Sequence, residues 1–84
     1  MSDTDSSGSL ERYLGNTIRD LRQKHGLTIA DVASLAGISR GMLSKIENGV
    51  TSASLTTLQR LSKALGVPVT ALFRRFEERR DAVF

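Results

Sequence analysis

The sequence predicts an all-α fold, a compact five-helix bundle with a central helix-turn-helix. Three observations predict it. Between Leu10 and Phe76 apolar residues recur at intervals of three and four, and no alternating strand pattern occurs. Glycine follows four of the five apolar stretches, at Gly26, Gly37, Gly49 and Gly66, where a residue that tolerates positive φ can end a helix. Within residues 29–48, IADVASLAGISRGMLSKIEN, Ala33 is small where two helix backbones would cross, and Gly37 supplies the turn four residues later.

Residues 1–9, MSDTDSSGS, offer nothing to bury and are expected to form a disordered acidic tail. Helix 1 is expected to start near Leu10 behind a Ser9 cap, with Leu10, Leu14, Ile18 and Leu21 on one face. Lys24 and His25 lie at its end, where positive charge suits a helix C-terminus. Thr28 begins helix 2, and Asp31 three residues later makes a capping-box pair with it. Ser39 caps helix 3, which runs to about Asn48, and Val32, Ala36, Ile38, Leu43 and Ile46 form the seam between helices 2 and 3. After the loop VTSA, Ser54 caps helix 4, whose Leu55, Leu58, Leu61 and Leu65 are expected to face inward. Pro68 fits the first turn of helix 5, which carries Val69, Leu72, Phe73 and Phe76. The helix-turn-helix domain thus occupies residues 10–76, leaving 77–84 as a C-terminal extension or the start of a linker.

Composition narrows the function. Eighty-four residues make one domain with a modest core. The absence of cysteine excludes disulfides, thiolate metal sites and thiol catalysis. The N-terminal residues lack the positive region and apolar run of a secretory signal, and the longest apolar runs fall far short of a membrane span. His25 is the sole histidine and has no cysteine or acidic cluster around it. With no nucleotide-binding loop, metal-ligand spacing or nucleophile–base pair, neither an enzyme nor a cofactor is expected. Residues 11–66 hold eight Lys/Arg against four Asp/Glu, so the folded part is mildly basic behind its acidic tail. That balance suits a polyanion without specifying one.

Helix 3 carries the chemistry. Arg40, Gly41, Ser44, Lys45 and Asn48 fall opposite its apolar face, at spacings of three and four. A helix that reads the DNA major groove needs donors near its N-terminal end. Arg40 lies in the first turn, where a guanidinium can grip guanine bidentately, and Lys45 one turn on can reach a base or a phosphate. Gly41 either lets the backbone approach a base edge or is a neutral occupant. Ser39 and Thr28 offer hydroxyls and free N–H groups at helix starts, and Thr51 and Ser52 offer donors in the following loop, all suited to phosphate.

The run GLTIADVASLAGISRGMLSKIENGVTSASLTTLQRLSKALGV resembles the XRE family, the Cro- and phage-repressor-like helix-turn-helix domains of bacteria and phages, over roughly residues 11–73. The resemblance implies a lambda-repressor-like fold and a cytoplasmic transcription regulator working on the bacterial nucleoid. It implies binding of double-stranded DNA as a homodimer on a palindromic operator. It places base contacts on Arg40, Gly41, Ser44 and Lys45 and a phosphate contact on Asn48. It also pairs Arg22 with Glu47, orienting helix 3 and bringing Arg22 near a phosphate. Ile29 departs from the glutamine common at the start of helix 2, so Ile29 is expected to pack rather than bind DNA.

Residues 67–84, VPVTALFRRFEERRDAVF, end on apolar residues. Relatives with similar wording often continue into a cupin-type sensor barrel, so the chain is expected to be the DNA-binding part of a longer regulator. A native stop codon directly after Phe84 would refute that. Phe76 is open to either the core or a dimer interface. The competing function class is an antitoxin or helical protein-interaction module that keeps the fold.

Overall fold

Four α-helices and one 3₁₀ turn account for residues 2–74, the part of the chain that this computed structural model describes. They are α1 (Ser2–Lys24), α2 (Ile29–Ala36), α3 (Arg40–Glu47), α4 (Leu55–Leu65) and the 3₁₀ turn Val69–Leu72. No strand occurs among the described residues. Each of the five elements contributes one of the largest fully buried side chains, in order Ile18, Val32, Leu43, Leu61 and Leu72. The core is therefore shared, and no helix can leave without opening it. The most extensive packing joins α2 to α4 and α1 to α3, with α2 and α3 also in contact.

Local signals set the helix ends. At α2, Thr28 Oγ1 accepts from Asp31 N at 3.0 Å and Asp31 Oδ2 accepts from Thr28 N at 2.9 Å, the reciprocal capping box. The bond from the Thr28 backbone, then that from its side chain, holds the Asp31 carboxyl below its ordinary pKa. Ser39 and Ser54 cap α3 and α4 in the same one-sided way, accepting from Met42 N and Thr57 N. Gly37 ends α2 at φ 72°, with Gly37 N donating to Ser34 O and Ile38 N to Ala33 O. This paired arrangement satisfies the last carbonyls of the helix. The same pair of bonds closes α1, α3 and α4.

Three expectations are corrected. Helix 1 starts at Ser2, not near Leu10, so the stretch expected as a disordered tail continues α1 and Ser9 is not its cap. Extending a helix that core packing has already nucleated adds a hydrogen bond for each residue fixed, which offsets the poor propensity of Ser, Asp and Gly. Helix 5 is a single 3₁₀ turn preceded by Pro68, closed by Ala71 N to Pro68 O at 2.9 Å and Phe73 N to Thr70 O at 3.1 Å. Val69 and Thr70 are weak α-helix formers, and the tighter turn suffices to seat Leu72. Among the described residues the fold accordingly has four helices and a 3₁₀ turn rather than five helices. Leu55, expected inside, is 65% exposed, because it opens α4 beyond the elements that cover Leu58, Leu61 and Leu65. Ile29 packs against the core, as expected of an apolar residue at the start of α2. Phe76 and residues 77–84 lie outside the described residues.

Candidate nucleic-acid interface

The inward stripe of α3 is Leu43, Ile46 and Glu47, all buried. At 100° per residue this leaves Gly41 and Lys45 at the centre of the outer face, with Ser44 on one flank and Met42 on the other. Arg40, Gly41, Met42, Ser44 and Lys45 are all exposed. Space around Gly41 is open, with no atom within 4 Å of where a Cβ would stand. Neither Arg40 nor Lys45 is engaged in an ion pair among the described residues.

Glu47, the sole acid of α3, points the other way and is 3% exposed. Arg22 grips it bidentately, with Nε donating to Oε2 at 2.7 Å and Nη2 to Oε1 at 3.0 Å. Arg22 Nη1 donates to Leu27 O at 3.0 Å, so one side chain ties α1 to both α3 and the turn before α2. The hydrogen bonds to Glu47 raise the Arg22 pKa from its already high ordinary value. The outer face of α3 is left with positive charge alone.

Close packing of α1 on the end of α3 requires Gly15. A Cβ there would overlap Ile46 O and lie 2.5 Å from Glu47 O. The adjoining Gly49, at φ 70°, lies under Arg12, with its own would-be Cβ 2.9 Å from Arg12 Cγ. The sequence reading missed Gly15, although a glycine among the apolar repeats of a helix costs about 1 kcal/mol relative to alanine and so signals a packing need. It also missed Arg19. Arg19 Nη2 donates to Asn48 Oδ1 at 2.7 Å and to Glu47 O at 3.4 Å, and Arg19 Nε lies 3.5 Å from Glu47 Oε1. Arg19 stands one helical turn before Arg22, a spacing that was the available signal. Met42, 43% exposed on the outer face, was likewise unassigned.

The remaining expected contacts fall around this face. Ser39 and Thr28 are exposed at the starts of α3 and α2, their oxygens occupied by Met42 N and Asp31 N respectively. Asn48 is the C-terminal cap of α3, its Nδ2 donating to Ser44 O at 2.9 Å. Ser52 is exposed and Thr51 half-buried in the loop that follows, above an apolar cleft bordered by Leu14, Ile46, Leu58 and Phe73. Among the described residues no cluster of His, Cys, Asp or Glu could hold a metal ion, and no helix is long and apolar enough to cross a membrane.

A helix-turn-helix whose second helix presents an exposed basic face, unpaired among the described residues, defines a class. The chain belongs to the helix-turn-helix family HTH_3, which matches residues 18–72. It is 43% identical over 60 residues to the transcriptional regulator DdrOP3 of Deinococcus deserti, covering 71% of this chain and 46% of that protein. It is 35% identical over 60 residues to the regulator SutR of Escherichia coli, covering 71% of this chain and 34% of SutR. The chain therefore spans less than half the length of either relative. Among solved structures, the restriction-modification controller protein C.AhdI of Aeromonas hydrophila superposes with a TM-score of 0.73 at 31% identity, covering 77% of this chain and 97% of that one. The clp gene regulator ClgR of C. glutamicum also gives 0.73 at 31% identity, over 76% and 83% of the two chains.

Proposed function

We propose that this domain binds double-stranded DNA sequence-specifically as the reading head of a transcription regulator, with α3 in the major groove. One observation carries the reading. The recognition helix turns its only carboxylate inward, where arginine neutralises it, and presents Arg40 and Lys45 on the outside, unpaired among the described residues. Similarity to proteins named as transcriptional regulators supports it over an antitoxin or helical interaction module. Arg40, Gly41, Ser44 and Lys45 face the bases. Thr28, Ser39, Asn48, Thr51 and Ser52 meet phosphates at the rim, where contacts fix register without reading sequence. Arg22 supports α3 from behind, since its side chain is 12% exposed and three of its five N–H groups already serve Glu47 and Leu27.

One domain covers one half-site. Tight binding therefore calls for a homodimer on a palindrome whose half-sites lie about 34 Å apart. The site of action is the cytoplasmic nucleoid. A C-terminal sensor domain belongs to the same reading, in keeping with relatives of which this chain spans 34% and 46%.

Fluorescence anisotropy on labelled duplex DNA tests the interface, with site selection to find the operator. Arg40→Ala is expected to cost about 1–3 kcal/mol on the selected site and to relax discrimination at one base pair. An equal loss on random DNA would make Arg40 a phosphate contact instead. Gly41→Ala should separate folding from recognition. With open space for the methyl group, the variant should be more stable by about 0.5–1 kcal/mol in urea unfolding. Its DNA affinity should nevertheless fall, because the methyl group stands between the backbone and the base edges. Unchanged affinity would show that Gly41 makes no close approach.

A further inference from the structure

Two guanidinium groups converge on the single carboxylate of Glu47, and they are not equivalent. Arg22 is the more deeply engaged: its side chain is 12% exposed, and three of its five N–H groups, one on each nitrogen, donate within the domain. Arg19 is 36% exposed, its Nε stands off Glu47 at 3.5 Å, and its Nη1 has no partner among the described residues. One negative charge balances one arginine, so the charge of Arg19 is left largely uncompensated. The Arg19 bond to Asn48 Oδ1 also sets the amide of Asn48, whose Nδ2 donates to Ser44 O at 2.9 Å and to Ser44 Oγ at 3.4 Å.

We propose that Arg19 and Asn48 together form a phosphodiester-binding site at the junction of α1 with the end of α3, and that Arg22 acts only as the brace. This assignment rests on the DNA-binding reading. The bond at 2.7 Å holds the Arg19 cation beside the Asn48 amide and leaves Arg19 Nη1 to donate to an anion carrying several acceptor oxygens. The pair lies at the C-terminal cap of the recognition helix, next to Ser44 and beyond the residues that face bases. The rim of the groove, where the sugar–phosphate backbone runs, is what that position meets.

The test is the salt dependence of binding to a short mixed-sequence duplex, measured by anisotropy for the full 84-residue chain. Wild type is compared with Arg19→Gln, Arg19→Lys and Lys45→Ala, each checked for folding by thermal melting. Each neutralised phosphate contributes about 0.9 to the slope of log K against log salt. Arg19→Gln should lower the slope by that amount, so its affinity loss between 50 and 200 mM salt should be about 3.5-fold smaller than that of wild type. Arg19→Lys should restore the slope. A wild-type slope in Arg19→Gln, with or without a lower melting temperature, would overturn the assignment and leave Arg19 a packing residue. If Lys45→Ala still weakens binding in that case, the DNA reading survives alone. Failure of wild type to bind at low salt would remove both.

Discussion

Replacing Glu47 with alanine is expected to destabilise the domain by about 3–5 kcal/mol, the range found when one partner of a buried ion pair is removed. The geometry places this pair at the buried end of the scale: the carboxylate is 3% exposed and takes two short hydrogen bonds from Arg22, which is itself little exposed. Without it, Arg22 keeps its charge beside Leu27 O with no anion to balance it. For a chain of this size each kcal/mol lowers the melting temperature by about 4–8 °C, so the transition should fall by well over 10 °C. A loss under 1 kcal/mol would instead class the pair with exposed salt bridges. The double variant Arg22→Met/Glu47→Met discriminates further. Apolar residues of similar size can replace a buried pair at little cost, so stability should largely return. DNA binding should not return, because the tie that aims α3 from α1 is gone.

Gly15→Ala is expected to be the second most damaging change, although it adds only a methyl group to a helix. Helix propensity alone favours alanine by about 1 kcal/mol. Against that, the new Cβ would overlap the carbonyl oxygens of Ile46 and Glu47, and backbone atoms cannot rotate aside as a flexible side chain can. We expect a net loss of about 2–3 kcal/mol by urea denaturation, typical of overpacking at a close contact. Because α1 must back away from the end of α3, the bonds from Arg19 and Arg22 to Glu47 should loosen with it. Affinity for DNA should therefore fall even where the protein remains folded. A stabilised Gly15→Ala variant would mean that the two helices can separate without cost, contrary to the packing described.

The turn and cap residues were legible because their work is local. Thr28 and Asp31, Ser39 and Met42, Gly37 and Ala33 interact across three or four positions, so their identity and spacing disclose the bond before any fold exists. The outer face of α3 was readable for the same reason: with Leu43 and Ile46 inside, helical periodicity turns Gly41 and Lys45 outward. At the chain's ends local pattern misled. The polar residues before Leu10 gave no sign that α1 would run back to Ser2, and the spacing of Val69 and Leu72 suited an α-helix as well as the 3₁₀ turn that forms. Leu55 fitted the stripe of α4 yet is left exposed.

What the sequence alone determined is therefore the all-α class, the helix-turn-helix with its glycine turn, and the basic face of its second helix. The Arg22–Glu47 pair was anticipated by family resemblance, but its burial was not visible. Tertiary structure alone decided how α1 lies against the end of α3. That packing makes Gly15 indispensable, buries Glu47, and distinguishes the largely buried Arg22 from the more exposed Arg19. The physical reason is separation along the chain. These contacts join residues 25 to 32 positions apart, and no backbone periodicity links such residues until the core has folded around Ile18 and Leu43.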